Sequence, residues 1–269
     1  MAKFSNKLPL VIIADNGSSA QDLLGIQQGK VHGIDFIVID HHVLGEKDVI
    51  SDEVLAHINP FLVGESGEQF SAGMLCCEIA CFINPEIENM ESIAAMAAMA
   101  DRIDNPEVIS EYMSLAEKNG YTKDLLADIS TVIDFVSTRL RFMEAREYIE
   151  VVFGEPMDKQ KSLVKLMAPY IRNLEARGLE MAKASVQTKK AGSTQLNLLY
   201  VEKAMPGFGF YPRPGLTINF LHDFMQKSNP GKPVVTAGVM GSAITLRATD
   251  EANFSVHDLI DYVNKKLPT

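Results

Sequence analysis

The chain has 269 residues, a formal net charge of -10 and a hydrophobic content of 46%. These values exclude a largely disordered protein and suit one large globular domain or two modest ones. No apolar run in the sequence approaches the ~20 residues that span a bilayer. The first ten residues also lack the long apolar region of a signal peptide. We therefore expect a cytoplasmic protein.

The net charge differs between the two halves of the sequence. Residues 1–138 contain 7 Lys and Arg against 22 Asp and Glu, a net charge of -15, whereas residues 139–269 contain 18 against 13, a net charge of +5. Acidic clusters can hold divalent cations, and a basic surface can face a polyanion. The split predicts two regions with different functions, although ordinary solvated faces would produce it too.

The first forty residues predict a βαβ unit. LPLVIIAD is apolar up to Asp15, as in a strand buried on both faces of a parallel sheet, and FIVID is a second such strand that ends at Asp40. Between them, NGSS supplies a turn and a serine N-cap for a helix that runs to about Val31. Open α/β sheets bind ligands at the carboxyl ends of their strands, so Asp15 and Asp40 mark a candidate site.

The middle of the chain is helical. Two apolar helices that we expect to be buried, and one amphipathic helix, are predicted from SAGMLCCEIACFI, ESIAAMAAMADRID and NPEVISEYMSLAEKNG. Residues 123–190 are typical of helix throughout, with interruptions near FGEPMD and at Pro169. The cysteines lie in the first of these helices, with a spacing that suits neither a disulfide framework nor a zinc site, so we expect buried thiols: Cys76, Cys77 and Cys81.

The last segment returns to mixed structure. Three strands and two helices are predicted there, from TQLNLLYVEK, LTINFLHDFMQKSNPG, PVVTAGVM, AITLRAT and SVHDLIDYVNKK. The predicted fold class is therefore α/β. A parallel-sheet domain (1–138) is joined by a helical connector (139–190) to a smaller α/β domain (191–269).

The sharpest chemical feature is Asp40-His41-His42, directly after a buried strand. Imidazole and carboxylate ligands at the carboxyl edge of a sheet suit Mn²⁺ or a similar first-row metal. Asp15 follows the neighbouring strand, and Asp101 follows an apolar run in which an unpaired charge would be expensive. Together these residues predict a metal site.

Several segments, in order, resemble the motifs of the DHH phosphoesterases: VIIADNGS, GIDFIVIDHHVLGE, INP, SAG and MAAMADRID. The strongest likeness is to RecJ-like single-strand-specific exonucleases, including the archaeal type that associates with the GINS complex of the replisome. VVTAGVMGSAITLRAT and FSVHDLIDYVNKKLP resemble the DHH-associated C-terminal domain. The resemblance implies a two-domain hydrolase that acts on single-stranded nucleic acid.

The resemblance also implies roles for individual residues. Asp15, His41 and Asp101 would be metal ligands for Mn²⁺, with Mg²⁺ as an alternative. His42 would face the scissile phosphate, and Asp40 would support it from behind. The substrate-binding candidates, three in the first domain and one phosphate contact in the second, are Asn16, Ser71, Gly73 and Arg247. An ordinary exposed strand arginine is an equally good reading of Arg247.

Two departures from the family's pattern lower the expected activity. The family begins with an aspartate-rich motif well upstream, and MAKFSNK contains no Asp. The family's second domain also ends with a glycine-rich GGGH segment, about where this sequence ends at Thr269. The resemblance therefore predicts one weak metal site, and the isolated chain is expected to be inactive or feeble.

Three functions remain open at this stage. The first is a Mn²⁺-dependent RecJ-like exonuclease on single-stranded nucleic acid. The second keeps the fold and hydrolyses oligonucleotides or cyclic dinucleotides. The third is a non-catalytic, Cdc45-like replisome scaffold. A preference for long over short strands separates the first two, and metal binding separates both from the third.

Overall fold

The computed structural model describes residues 9–45, 47–103, 105–139, 157–205, 211–241 and 243–267. They form two compact units: the described residues within Met1–Thr131 and Val152–Lys161, and those within Val132–Val151 and Ser162–Thr269. Each unit combines helices with a sheet, which confirms the predicted α/β class. The three-part division with boundaries at 138 and 190 stays a prediction.

The first unit contains a parallel three-stranded sheet. Strands β1 (Leu10–Ala14), β2 (Asp35–Ile39) and β3 (Ala56–Ile58) lie in that order, and α1 (Leu23–Val31) connects the first two. Ala14 pairs with Ile39, and Ile39 pairs with Ile58, so all three strands end at one edge. The predicted βαβ unit is confirmed.

A small apolar core joins α1 to the sheet. Ile26 of α1 packs with the buried side chains of Phe36, Val38 and Ile50. Gly29 permits this approach, because a Cβ at that position would lie 2.4 Å from the ring of Phe36.

Strand β1 is more exposed than its apolar sequence predicts. Among the described residues it pairs only with β2, and Leu10 and Ile12 are 53% and 59% exposed. The prediction that this strand is buried on both faces is therefore wrong. The physical reason is its position, because in the described part of the chain β1 is an edge strand, which is less covered than a central one.

Four helices follow the sheet: α2 (Ala72–Ile83), α3 (Met90–Ala100), α4 (Pro106–Lys118) and α5 (Lys123–Arg139). Asn105 caps α4, and its side chain accepts a hydrogen bond from the amide of Val108, as its place before Pro106 favours. The buried face of α2 packs on α3 through Met74, Cys77, Ala94 and Ala98. The carboxyl end of α2 differs from the prediction of a buried helix, since Phe82 is 88% exposed.

The three cysteines are free thiols, as predicted, although only Cys77 is fully buried. Cys76 and Cys81 are half-buried. Burial raises the pKa of Cys77 to about 12, so that side chain is an uncharged thiol that fills the core between α2 and α3.

The second unit contains a mixed four-stranded sheet. Its strands, in spatial order, are β4 (Gln187–Ala191), β5 (Thr194–Tyr200), β6 (Val234–Met240) and β7 (Ala243–Ala248). The central pair β5 and β6 is parallel, and both outer pairs are antiparallel.

Four helices accompany this sheet in the described part of the chain: α6 (Met157–Ser185), α7 (Val201–Ala204), α8 (Pro214–Ser228) and α9 (Val256–Lys266). Their core contains the fully buried side chains of Ala182, Leu199, Ile218 and Leu221. Ser255 caps the last helix, because its side chain accepts a hydrogen bond from the amide of Asp258.

Two predictions about the long helical region are wrong. Pro169 lies inside α6, and the helix continues through it despite the lost backbone donor. The helix ends at Ser185, and Gln187–Ala191 forms β4 because it pairs with β5 along its whole length. The interruption predicted near FGEPMD falls mainly on residues 153–156, which lie outside the described residues.

No helix in the described ranges is both long enough and apolar enough to cross a membrane.

Candidate metal centre

The first carboxylate of the site belongs to Asp15, the residue directly after β1. Its backbone amide donates to the carbonyl of Ile39 (2.9 Å), which ties it to the end of β2. Its backbone then turns into the left-handed region with φ +62°, a conformation that aspartate tolerates better than most residues. Partial burial raises the pKa of Asp15, and the negative charge of Asp101 raises it further.

His41 lies at the centre of the site. Its Nδ1 is 2.9 Å from the carbonyl oxygen of Gly67, so this nitrogen carries the proton and donates it. Nε2 lies 3.4 Å from Oδ1 of Asp15 and 3.2 Å from Oδ2 of Asp101. An imidazole held at one nitrogen with the other directed at carboxylates is typical of a metal-binding histidine.

Gly67 allows the backbone to approach His41 this closely. A Cβ at position 67 would lie 1.8 Å from the carbonyl oxygen of His41, closer than any side chain could come. The same residue thus accepts the hydrogen bond that fixes the imidazole and leaves room for the backbone that carries it.

Asp101 reaches the site from a helix. It is the C-cap of α3, and its backbone amide donates to the carbonyl of Ala97 (3.0 Å). Its carboxylate lies at the carboxyl end of the helix dipole, where a negative charge is disfavoured unless a cation is near. This placement supports an ion-binding function over a purely structural one.

Each carboxylate lies at a distance from Nε2 of His41 that suits a shared metal ion, but the group whose donor atoms all lie close to one another is Asp15, His41 and His42, without Asp101. Two ligand atoms that each lie about 2.1 Å from one ion are separated by about 3.0–3.4 Å, depending on the coordination geometry. The distances from Nε2 of His41 to the two carboxylate oxygens agree with this range. Donor atoms of Asp15, His41 and His42 also lie within 4.8 Å of one another. Two carboxylates and an imidazole suit Mn²⁺ better than a soft metal.

Asp40 and His42 form a second pair beside these donors. Nδ1 of His42 lies 2.7 Å from Oδ1 of the buried Asp40. Burial alone would raise the pKa of Asp40, but hydrogen bonds from His42 and Ser18 outweigh it and hold the pKa below its ordinary value. Burial would likewise lower the pKa of His42, but the hydrogen bond to Asp40 and its charge raise it. The His42 side chain is 61% exposed, so it can meet a ligand from solvent.

The sequence reasoning missed a buried network behind this pair. Ser18 donates its backbone amide to Oδ2 of Asp40 (3.1 Å), and its hydroxyl lies 2.9 Å from Nε2 of His57. The predicted serine N-cap is therefore wrong, because α1 begins after Asp22 and Ser18 contacts the site instead. Asn59, within the INP segment, donates to both Ser18 and the carbonyl of His42. Its place directly after β3 was the available signal.

The predicted substrate-binding residues occupy different environments. Asn16 is exposed beside Asp15, as a cleft residue would be. Ser71 is buried and caps α2 by accepting from the amide of Met74 (3.3 Å). Gly73 lies in the first turn of α2, where a Cβ would come within 2.7 Å of the Cβ of Ala97, so its small size serves helix packing.

Arg247 is exposed on β7 of the second unit. Its Nε donates to Oδ1 of Asn219 (2.6 Å) and a terminal nitrogen donates to the carbonyl of Leu246 (2.8 Å). These two bonds hold the guanidinium in place and leave further N–H donors for a ligand. The roles predicted for all the site residues stay predictions.

The chain resembles known proteins in both sequence and structure. The sequence matches no model of a known protein family. An uncharacterized protein of Methanocaldococcus jannaschii, MJ1198, is 31% identical over 291 residues that include 99% of this chain and 38% of the relative. The chain therefore spans about two fifths of the length of that relative.

Two solved structures share the fold. The DHH domain of PF0399, described as a member of the s1p family of ribosomal proteins, is 28% identical and superimposes with a TM-score of 0.90 over 99% of this chain and 63% of its own. Exonuclease RecJ bound to manganese is 16% identical and superimposes with a TM-score of 0.56 over 94% of this chain and 66% of its own.

The chain thus has the fold of a DHH domain. RecJ shares this fold, as the order of the sequence motifs predicts.

Proposed function

We propose that this chain is a Mn²⁺-dependent phosphodiesterase that acts as a RecJ-like exonuclease on single-stranded nucleic acid. One observation carries the proposal: Nε2 of His41 lies within 3.4 Å of carboxylate oxygens from both Asp15 and Asp101, while its Nδ1 is bound to Gly67. The likeness to a RecJ that is bound to manganese supports the choice of metal.

Asp15, His41 and Asp101 would hold the ion. When bound, a divalent ion supplies Lewis acidity at a phosphoryl oxygen and lowers the pKa of a bound water. The carboxylates contribute negative charge that would keep the ion in place, and the hydrogen bond from Nδ1 of His41 to Gly67 fixes the ring orientation.

His42 would bind the scissile phosphate. Asp40 fixes Nδ1 of His42, which leaves Nε2 of this exposed imidazole for a phosphate oxygen. The raised pKa of His42 favours the protonated ring, whose second N–H donates to an anion. Asp40 acts through His42, because its carboxylate is buried and already accepts four hydrogen bonds.

The second unit would contribute phosphate contacts of its own. Residues 139–269 carry a net charge of +5, and Arg247 offers a guanidinium already fixed by Asn219. We assign Arg247 to a backbone phosphate and the exposed Asn16 to a substrate contact beside Asp15. Ser71 and Gly73 stay predictions, because Ser71 is buried and Gly73 packs against Ala97. A replisome partner of the GINS type stays a prediction from the resemblance.

The test combines metal binding with hydrolysis. The purified chain is titrated with Mn²⁺ by calorimetry and incubated with a long 5′-phosphorylated single-stranded oligonucleotide, a duplex, a dinucleotide and a cyclic dinucleotide. Asp15→Asn is the matched variant, because asparagine keeps the shape and also tolerates a positive φ. Since the resemblance predicts a feeble isolated chain, metal binding is measured before turnover.

We expect wild type to bind Mn²⁺ and Asp15→Asn to lose that binding. Because the resemblance predicts an inactive or feeble isolated chain, release of mononucleotides by wild type is expected to be slow at most, confined to the long single strand and absent from Asp15→Asn. Hydrolysis confined to the dinucleotide or the cyclic dinucleotide would replace the exonuclease with the second enzymatic function. Binding of single strands without any Mn²⁺ binding would overturn the enzymatic proposal and favour the scaffold.

A further inference from the structure

Asn59 links all three strand ends of the first sheet. It is buried and follows β3 directly. Its Nδ2 donates to the hydroxyl of Ser18, which follows β1, and to the backbone carbonyl of His42, which follows β2, both at 3.0 Å. Its Oδ1 accepts from the amide of Phe61 (3.0 Å). Both amide hydrogens and the carbonyl oxygen are therefore engaged.

Ser18 connects Asn59 to the pair formed by Asp40 and His42. Its hydroxyl accepts from Asn59, and its backbone amide donates to Oδ2 of Asp40 (3.1 Å). The remaining oxygen of Asp40, Oδ1, lies 2.7 Å from Nδ1 of His42. Asn59 thus restrains His42 in two ways. It binds the backbone carbonyl of His42 directly, and it acts on the imidazole of His42 through Ser18 and Asp40.

His57 completes the network on the buried side. Its Nδ1 lies 3.0 Å from the hydroxyl of Ser51 and 3.5 Å from the carboxylate of Asp48, which favours a proton on that nitrogen. Nε2 then accepts the hydroxyl proton of Ser18 at 2.9 Å. Because Ser18 donates its hydroxyl proton to His57, the lone pairs of its oxygen are available to Asn59. Each proton in this hydrogen-bond network therefore has one acceptor.

We infer that Asn59 and Ser18 are positioning residues that fix the backbone and the imidazole of His42, an inference that rests on the proposed function of His42 as a phosphate ligand. Neither side chain is placed to touch the metal or the substrate. Their effect on turnover comes from holding His42 in one orientation before the substrate arrives.

The experiment compares two variants that remove hydrogen bonds of the network with one that removes a helix cap elsewhere in the same unit. Asn59→Asp replaces the donor with an oxygen and so loses both donated bonds, and Ser18→Ala removes the intermediate hydroxyl. Asn105→Ala is the control, because Asn105 caps α4 in the same unit and its side chain bonds only to Val108 in the described contacts. The thermal unfolding midpoint is measured for each variant.

The first readout needs neither metal nor activity. Long-range proton–nitrogen NMR of the imidazoles, at a pH where His42 is neutral, reports which ring nitrogen holds the proton, and His42→Gln assigns the signal. We expect wild type and Asn105→Ala to hold the proton on Nδ1. Asn59→Asp and Ser18→Ala are expected to show a mixture of both tautomers.

The second readout is the split between kcat and KM. We expect Asn59→Asp to lower kcat ~10–100-fold with little change in KM, as loss of an outer partner does at metal sites. The inference would be overturned if both Asn59→Asp and Ser18→Ala kept the His42 tautomer and the kcat of wild type. If Asn59→Asp does not fold, Ser18→Ala decides. If wild type hydrolyses nothing, the proposed function fails, and the tautomer spectrum still tests the positioning.

Discussion

The two sheets of the molecule carry their polar side chains in different places. In the first sheet, Asp15, Asp40 and Asn59 each directly follow the last residue of a strand. In the second sheet, Thr188, Asn197 and Thr236 lie opposite one another in the middle of β4, β5 and β6. The first arrangement can accept a ligand, whereas the polar side chains of the second hydrogen-bond to one another.

Position along the strand explains the difference. After a strand ends, the backbone is free to turn, and Asp15 uses a φ of +62° to do so, which leaves its carboxylate exposed. In the middle of a strand the pairing fixes the backbone, and Asn197 and Thr236 are both fully buried. Thr188 donates to Asn197 (2.9 Å), and Thr236 lies 3.0 Å from Nδ1 of His222. Such a row contributes stability, whereas the strand ends hold the site for which we propose a function.

The most severe test of this contrast is His41→Ala. We expect Mn²⁺ affinity to fall by more than about 100-fold, because loss of only an outer partner already costs ~10–100-fold. The free energy of unfolding is expected to fall by about 1 kcal/mol, because the carbonyl of Gly67 loses its hydrogen bond, so affinity is compared where both variants are folded. Calorimetric titration with Mn²⁺ measures the effect, and His257→Ala, an exposed histidine on α9, is the control. Equal affinity in both variants would mean that the strand ends hold no metal.

The converse test is Asn197→Ala in the second sheet. It removes a fully buried amide together with its hydrogen bonds to Thr188, Gln195 and Thr236, so we expect a loss of about 1–2 kcal/mol in the free energy of unfolding. Mn²⁺ affinity should not change. Urea unfolding followed by circular dichroism gives the energy, and the exposed Asn264→Ala should shift it by less than about 0.5 kcal/mol. A loss of metal binding in Asn197→Ala would contradict a purely structural row.

A smaller effect concerns the pH dependence of the Asp40–His42 pair in metal-free buffer. The pKa of His42 is raised above its ordinary 6.5, so its contribution to stability is complete below that pH and is lost as the pH rises through the folded-state pKa. The pKa of Asp40 is lowered below 3.8, so its contribution is present above that pH and is lost as the pH falls through the folded-state pKa.

The difference in unfolding free energy between wild type and His42→Gln should therefore be largest between about pH 4 and 6.5. It should stay below about 1 kcal/mol, because His42 is exposed and solvent screens the pair. Chemical unfolding across this pH range measures it. A difference that grows above pH 6.5 would contradict the assigned ion pair.

The smallest expected effect belongs to Arg247→Ala. If the guanidinium contacts one backbone phosphate, binding of single strands weakens equally for all sequences, and the slope of log K against log salt falls by about 1. The free energy of unfolding should change by less than about 0.5 kcal/mol because the side chain is exposed. Fluorescence anisotropy across a salt series tests this, with the exposed Arg177→Ala as control. An unchanged slope would leave Arg247 as an ordinary strand arginine.

Local patterns were enough to predict the strand ends. The apolar run before Asp15 and the one before Asp40 have the length and composition of parallel strands, and parallel strands bring their last residues to one edge. Asp101 could be predicted because a charge at the end of an apolar helix is expensive without a partner. These arguments use only neighbours in sequence.

The supporting contacts could not be predicted in this way. Ser18 contacts Asp40 across 22 positions and Asn59 across 41, and no periodicity encodes either separation. The same limit explains the wrong N-cap, because serine after a turn suits a cap equally well until the tertiary partner is known. The helix predicted for residues 187–190 is wrong for the same reason, because their strand forms only through pairing with β5.

Gly67 has a consequence for how this centre tolerates sequence change. In a saturation mutagenesis experiment, position 67 should behave as one of the least permissive positions of the first unit, although it contributes no side chain and no charge. Even alanine would push its methyl group against the carbonyl oxygen of His41 at 1.8 Å. The surrounding backbone would have to move, and the histidine would move with it. Chains that keep the histidine pair but carry a side chain at this position would need another way to hold the imidazole.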